Sequence, residues 1–244
     1  MTRPPRRVLG RVAAIEHATH DIRILRLAVD EPLPFEAGQY ARLRFDELPA
    51  RDYSMANRPG IDPLEFHIRD LGDGASNYVA TRITTGEAVG VEGPFGDAYL
   101  RRDHHGVLLA VAGGSGLAPM LSIVETALAG DPRRRVHLYF GARDERDIYL
   151  ERRLRELEAR HPGFRFVPVL SEPNRPTARR RGLVGDAVAT DFPAFVGFKA
   201  YLAGPPAMVE AAIAMLIDRG LPAKDIHADP FYSEEENRRR RGLG

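Results

Sequence analysis

The segment from Val107 to Leu128 constrains the fold more than any other part of this chain. Its sequence is VLLAVAGGSGLAPMLSIVETAL. The first residues are apolar and mostly branched, which is typical of a strand buried on both faces. A cluster of glycines follows, and the apolar residues after it recur at helical spacing. The segment therefore predicts a strand, a tight turn and a helix in immediate succession.

A glycine-rich turn that opens directly into a helix is suited to holding a phosphate. Glycine lets the backbone turn sharply and approach a ligand closely. The first N–H groups of the helix have no partner within it, and they lie at the positive end of its dipole. The turn lacks the Gly-Lys-Ser/Thr of a Walker loop, and Pro119 stands where a Rossmann fingerprint has its third glycine. We interpret the segment as a dinucleotide-binding site of a particular subtype.

Length and composition narrow the class of protein further. A chain of 244 residues is long enough for one large domain or two ordinary ones. The absence of cysteine excludes disulfides, thiolate catalysis and a cysteine-ligated iron–sulfur cluster within this chain. A net charge of +1 argues against bulk nucleic-acid binding. No apolar run has the length of a membrane-spanning helix, and the arginine-rich start lacks the apolar region of a signal peptide. These features predict a soluble, cytoplasmic protein without nucleic-acid or membrane partners. No metal site is expected either, because metal-ligand spacing is missing around His17, His20, His104, His105 and His137.

The two halves of the chain have different patterns. Residues 6–102 contain short alternating runs broken by Gly and Pro, which are typical of an antiparallel barrel or sandwich. Residues 106–232 alternate strand and helix patterns, which predicts a parallel sheet with helices on both faces. We place the boundary in RRDHHG, residues 101–106, and interpret residues 233–244 as a charged tail.

A second polar cluster lies in the first half, where Arg51 is followed by Tyr53 and Ser54. Arginine presents a rigid fork of donors that suits a phosphate, tyrosine a flat face for stacking, and serine a small donor or acceptor. The run His67-Ile68-Arg69 and the turn around Gly74-Ala75-Ser76 follow downstream. Taken singly, each motif also has an ordinary interpretation, since Arg-x-Tyr-Ser is usually surface and Gly-Asp-Gly usually a hairpin turn.

Taken together, the motifs match a family. RDYSMAN, GDGAS, VEGPFG, AVAGGSGLAPML, YLAGPPAMV and DPFY, in this order, resemble the ferredoxin–NADP⁺ reductase superfamily, and most of all the reductase components of bacterial aromatic-ring oxygenases. The resemblance extends from about residue 6 to residue 232. It implies a flavin-binding, six-stranded antiparallel β-barrel followed by an α/β domain with a five-stranded parallel sheet that binds the nicotinamide nucleotide.

The resemblance also implies roles for individual residues. Arg51 would hold the flavin pyrophosphate, Tyr53 would stack on the isoalloxazine, and Ser54 would bond near flavin N5. Phe231 would cover the flavin face until nicotinamide displaces it, which with Ser54 makes it one of two expected catalytic residues. The other cofactor contacts expected by resemblance are His67, Ile68, Arg69, Gly74, Ala75 and Ser76 for the flavin, and Gly114, Gly116, Pro119, Gly204 and Pro205 for the nucleotide.

The activity implied is hydride transfer from NAD(P)H to bound FAD, followed by release of single electrons to a ferredoxin or an oxygenase iron–sulfur centre. The physics agrees, because hydride moves only between stacked, closely approached rings, so such a site needs flat faces and small residues more than acid–base groups. The alternatives are a reductase that releases reduced free flavin and a non-catalytic subunit that only binds nucleotide. A monomer is expected.

Several choices stay open at this point. FAD is favoured because the oxygenase reductases typically use it, and FMN is possible. NADH is favoured over NADPH by the subfamily, yet the turn that holds Asp144, Glu145 and Asp147 for ribose hydroxyls also holds Arg143 for a 2′-phosphate. Ala203 replaces a cysteine found in many relatives. The oxygenase reductases that this chain resembles usually carry an additional iron–sulfur domain with four cysteines, and this sequence has none. The chain is therefore expected to be either the core of a longer reductase or a reductase that serves a separate acceptor.

Overall fold

The first half of the chain forms one antiparallel sheet. A computed structural model describes residues 4–232, so the predicted charged tail lies outside the described residues. Its strands are β1 (Arg6–His17), β2 (Ile22–Val29), β3 (Tyr40–Phe45), β4 (Arg51–Ser54), β5 (Leu64–Arg69) and β6 (Ala88–Phe95). They lie side by side in the order β4-β3-β6-β1-β2-β5.

The two edges of this sheet nearly close it into a barrel. An antiparallel bridge joins Met55, just after β4, to Phe66 in β5. Successive side chains of a strand point to opposite faces, and the inward set, including Leu25 and Leu43, is fully buried. Helix α1 (Gly74–Thr81) follows β5. The predicted six-stranded antiparallel barrel is confirmed.

The second half alternates strands and helices around a parallel sheet. Its elements are β7 (Val107–Gly113), α2 (Leu117–Gly130), β8 (Val136–Ala142), α3 (Glu151–Arg160), β9 (Phe164–Leu170), β10 (Arg180–Arg181), α4 (Val184–Asp191), β11 (Phe198–Gly204), α5 (Pro206–Asp218) and β12 (Ile226–Pro230). The strand order is β10-β9-β8-β7-β11-β12, with every pair parallel. The sheet therefore has six strands rather than the expected five. The added strand is the two-residue β10, which pairs with the end of β9 at the edge of the sheet.

Strand β7 shows why an unbroken apolar run predicts a central strand. All seven of its residues are buried. Leu108 and Ala110 face one apolar cluster, together with α2, while Leu109 and Val111 face another, together with α4 and α5. Helices cover both faces of the sheet, so neither face of β7 needs a polar side chain.

The barrel packs directly on the second half. Ile22 and Ile24 of β2 belong to the same apolar cluster as Ile123 and Val124 of α2. The Ser122 hydroxyl donates a hydrogen bond of 2.7 Å to the backbone carbonyl of residue 57 across the same interface. Within residues 4–232, no helix is both long and apolar enough to cross a bilayer.

Candidate functional site

A cleft of about 420 Å³ opens between the barrel and the carboxyl ends of the parallel strands. Its walls come from β4, from β5 with the start of α1, and from the segments after β11 and β12. Parallel sheets bind ligands at this edge because loops and helix N-termini meet there. The sequence-predicted residues that line the cleft are Arg51, Tyr53, Ser54, His67, Arg69, Gly74, Ala75, Ser76, Pro205 and Phe231.

A groove of about 450 Å³ continues from this cleft along the carboxyl ends of β7, β8 and β9. Gly114 and Arg143, both predicted to contact the nucleotide, line it. The cleft and the groove share Arg69, Gly113 and Pro205. One end of a ligand bound in the cleft would therefore lie beside one end of a ligand bound in the groove.

The other predicted residues lie outside both spaces. Ile68 points into the barrel core and Pro119 is buried in the first turn of α2. Gly116 and Gly204 lie where the turn after β7 meets β11. A β-carbon on Gly116 would lie 2.1 Å from the Ala203 carbonyl oxygen, and one on Gly204 would lie 2.6 Å from the Gly113 carbonyl oxygen. These two glycines let backbone approach backbone.

Tyr53 and Phe231 are two of the aromatic residues that line the cleft. Burial raises the pKa of Tyr53 to about 12, so its phenol stays neutral. The Tyr53 ring packs edge-on against Phe45, with 6.4 Å between ring centroids. The backbone N–H of Phe231 donates to the Gly204 carbonyl at 2.9 Å, which fixes this ring beside the turn after β11. The cleft thus offers flat apolar surface together with the Arg51 cation.

Sequence reasoning missed Asp229, a carboxyl near the Ser54 side chain. Burial raises the pKa of Asp229 to about 6, and the neighbouring carboxylates of Asp52 and Asp97 add to the shift. Asp229 can therefore hold a proton beside the cleft. A signal was available, since Asp229 lies two residues before Phe231 in a predicted strand, where alternate residues share a face.

The raised pKa of Asp229 predicts a pH-dependent stability. The folded state binds the Asp229 proton more tightly than the unfolded chain, so this contribution is complete below the ordinary pKa of 3.8 and is lost as the pH rises through about 6. Asp229→Asn removes that loss. We expect the unfolding free energy of the variant minus that of the flavin-free wild type to grow by about 2 kcal/mol between about pH 4.5 and about pH 7.5. Urea unfolding measures it. Asp218→Asn, at the exposed end of α5, is the control, and an equal trend in both variants would contradict the assignment.

Arg69 lies where the cleft and the groove meet. Its Nε donates to the Asp21 carboxylate at 2.9 Å. Its guanidinium lies against the glycine turn, because a β-carbon on Gly114 would be 3.0 Å from Nη1. Asp21, also missed from the sequence, thus anchors a cation that faces both spaces.

The acidic residues after β8 have structural partners. Asp144 and Asp147 cap the short 3₁₀ turn 145–147, each side chain accepting from the other residue's backbone N–H. Glu145 accepts from Thr177 and from Arg179, both at 2.6 Å. By contrast, the Arg143 side chain is exposed and lines the groove. Within residues 4–232, no cluster of three or more His, Cys, Asp or Glu side chains could hold a metal ion.

Comparison with known proteins agrees with this geometry. Residues 10–99 match the oxidoreductase FAD-binding domain, and residues 110–213 match the oxidoreductase NAD-binding domain. The chain is 47% identical over 230 residues to the ferredoxin–NAD(P)⁺ reductase component of a Ralstonia naphthalene 1,2-dioxygenase/salicylate 5-hydroxylase system, covering 94% of this chain and 70% of that protein. This chain belongs to the ferredoxin–NAD(P)⁺ reductase family, among the oxygenase reductase components.

Other members of this reductase family match over similar lengths. The ferredoxin–NAD(P)⁺ reductase component of the Pseudomonas putida naphthalene 1,2-dioxygenase system is 42% identical, covering 95% of this chain and 71% of that protein. The crystal structure of an Amycolatopsis cytochrome P450 reductase superposes with a TM-score of 0.90 at 39% identity, covering 95% of this chain and 71% of that one. The superfamily, the flavin- and nucleotide-binding halves and the oxidoreductase class predicted from the sequence are confirmed.

Proposed function

We propose that this reductase takes hydride from NAD(P)H onto bound FAD and passes electrons singly to the iron–sulfur centre of a ferredoxin or an oxygenase component. The observation that carries the proposal is the meeting of the cleft and the groove at Arg69 and Pro205. That arrangement brings the reacting ends of two cofactors together, as hydride transfer requires. FAD, when bound, supplies the conversion from hydride to single electrons.

The residues of the cleft fit a flavin. We propose that Arg51 and the first turn of α1, at Gly74, Ala75 and Ser76, hold its pyrophosphate, because a cation and helix N–H groups suit phosphate. A β-carbon on Gly74 would meet no atom within 4 Å, so this turn is open for a ligand.

Residues around the ring would orient it and keep it dry. Tyr53 and Phe231 provide flat apolar faces, and the Phe231 ring covers the nicotinamide position until the coenzyme arrives. Pro205 and Pro206 form a stiff wall of the same cleft. The Ser54 hydroxyl, with Asp229 nearby, would donate or accept a hydrogen bond at the edge of the ring.

The test is the visible spectrum of the purified protein under anaerobic conditions, before and after one equivalent of NADH or NADPH. We expect a flavin band that bleaches within seconds with at least one nucleotide. A colourless protein that turns over only with added flavin would replace the proposal with that of a flavin reductase. A protein that neither binds nor reduces flavin would overturn both. The monomeric state and the cytoplasmic location stay predictions.

Coenzyme preference depends on the turn after β8. The expectation of NADH rests on the subfamily, and the acidic residues of this turn were its candidate ribose contacts. Asp144 and Glu145 have other partners, while Arg143 is exposed at the groove. We therefore propose that any preference for NADH is weak, and that Arg143 pairs with the 2′-phosphate of NADPH.

Substitution of Arg143 tests this proposal, because it should change kcat/KM for NADPH much more than kcat/KM for NADH. We expect Arg143→Leu to lower kcat/KM for NADPH by about 10-fold, because a charge-assisted bond to phosphate is lost, while kcat/KM for NADH changes less than about 2-fold. Steady-state kinetics with an artificial electron acceptor measure both. Arg146→Leu, an exposed arginine in the same turn, is the matched control. Equal effects of Arg143→Leu on both coenzymes would place the 2′-phosphate elsewhere.

A further inference from the structure

A buried chain of hydrogen bonds crosses from the barrel to the nucleotide-binding half. The His67 side chain in β5 is fully buried. Its Nδ1 lies 3.0 Å from the hydroxyl of Tyr149, which follows the short turn after β8. The same hydroxyl donates to the Gly114 carbonyl oxygen at 3.3 Å. The chain thus runs from a strand of the flavin cleft to the glycine turn of the nucleotide groove.

The barrel end of the chain is held by charge. Glu65 Oε1 lies 3.4 Å from His67 Nε2. Arg26 donates to the same carboxylate at 2.9 Å and Arg153 at 3.2 Å, so Glu65 stays ionised. An ionised carboxylate only accepts hydrogen bonds, so His67 carries its proton on Nε2. Nδ1 is then an acceptor.

The Tyr149 hydroxyl therefore has one proton and two acceptors, His67 Nδ1 and the Gly114 carbonyl. The single proton is shared between the two acceptors, which keeps the tyrosine oxygen between β5 and the glycine turn. The Tyr149 ring is itself clamped edge-on between His67, at 5.3 Å, and Phe140, at 5.8 Å between ring centroids. Since Tyr149 is only 4% exposed, water cannot readily replace either partner.

The turn that receives this contact also packs against the Arg69 guanidinium, and its Gly114 carbonyl accepts the Leu117 N–H. Gly114 adopts a φ of +56° and is only half-buried, and it lines the nucleotide groove. His67 lines the flavin cleft, two residues before the cleft-facing Arg69 in β5. A small displacement of the turn relative to β5 changes the distance between the two rings directly, and an error of about 1 Å in such a distance can cost about 100-fold in rate.

We propose that His67 and Tyr149 are positioning residues for hydride transfer, which hold the glycine turn 113–116 at a fixed distance from β5. This inference rests on the proposed function. It assigns neither residue a chemical step, since both act through the placement of Gly114.

The decisive variant is Tyr149→Phe, which removes one oxygen and keeps the ring packing. Tyr201→Phe is the matched control, because Tyr201 is equally buried and its hydroxyl accepts from the Arg101 N–H at 2.8 Å, away from both ligand spaces. In the FAD-loaded proteins we expect the limiting rate of anaerobic flavin reduction to fall about 10-fold or more in Tyr149→Phe and less than about 2-fold in Tyr201→Phe. The Kd for the nucleotide should change less than about 3-fold, and the two Tm values should agree.

A second pair of variants tests His67. Glutamine keeps one donor and one acceptor in place of the imidazole, while leucine keeps neither. We expect His67→Gln to retain most of the limiting rate and His67→Leu to lose it. If His67→Leu does not fold, the tyrosine pair decides alone.

A measurement on the flavin-free protein distinguishes a failure of this inference from a failure of the proposed function. Hydrogen–deuterium exchange of residues 113–116 in the flavin-free protein should be faster in Tyr149→Phe than in Tyr201→Phe. Equal exchange and equal reduction rates in these two variants would overturn the positioning role while leaving the reductase intact. A wild-type protein that no nucleotide reduces would overturn the proposed function, and faster exchange in Tyr149→Phe would then still establish the structural link without a role in hydride transfer.

Discussion

Replacing Gly116 with alanine is expected to lower the free energy of unfolding by about 3 kcal/mol or more, or to prevent folding. The added β-carbon would lie 2.1 Å from the Ala203 carbonyl oxygen and 2.4 Å from its carbon. Neither backbone can retreat, because β7 and β11 are paired at Ala112 and Ala203. The clash can be relieved only by opening the ladder at the centre of the sheet.

Urea unfolding of the Gly116→Ala protein measures the effect, and Gly185→Ala is its control. Gly185 lies in α4, where an added β-carbon meets no atom within 4 Å. Alanine there should raise the unfolding free energy by about 0.5–1 kcal/mol, because it gives the unfolded chain less conformational entropy than glycine does. If the two variants unfold at the same urea concentration, the turn does not approach Ala203 as described.

The glycines of the turn illustrate what a sequence pattern can and cannot assign. The pattern predicted correctly that the chain turns sharply after β7 and opens into a helix. It gave a single reason for all the glycines, close approach to a ligand. In the structure Gly114 lines the groove, whereas Gly116 makes room for β11, a strand that begins 82 residues later. Spacing along the chain does not distinguish these two causes.

The architecture followed from the sequence because it depends on local periodicity. Alternating runs predicted the barrel, and alternating strand and helix patterns predicted the parallel sheet. The sixth strand was not predicted, because β10 consists of two arginines and is too short to show any periodicity. It exists because β9 offers a free edge at Val169 and Leu170, and because Arg179 is held by paired bonds of 2.8 Å to Glu151.

Long-range polar contacts were beyond the sequence for a different reason. Tyr149 lies outside any regular element, two residues before α3 begins at Glu151. Its hydroxyl partner, His67, is 82 residues away. Nothing in either local sequence marks the pair, since only the packing of the barrel on α2 brings the two side chains together.

Neutralising Glu65 by substitution with glutamine is expected to lower the free energy of unfolding by about 3 kcal/mol at neutral pH. Burial alone would raise the pKa of this carboxyl. The hydrogen bond from His67 and the charges of Arg153 and Arg26 outweigh burial and lower the pKa from 4.5 to about 2. A lowered pKa means that the folded state binds the proton more weakly than the unfolded chain does. Glu65 therefore stabilises the protein above about pH 4.5, and this contribution is lost as the pH falls towards 2.

Two measurements check this assignment. Between about pH 5 and about pH 3, the urea midpoint of the wild type should fall more steeply than that of Glu65→Gln, because the variant has no proton to take up. The control is Glu156→Gln, whose carboxylate is 61% exposed and 4.0 Å from Arg152; its effect should stay within about 0.5 kcal/mol. Equal effects of the two variants would mean that the ion pair of Glu65 with Arg153, which joins the two halves, adds no measurable stability. If only Glu65→Gln has a large effect, the carboxylate that joins the two halves is the same one that orients His67. One side chain then serves both the stability of the protein and the alignment of the cleft with the groove.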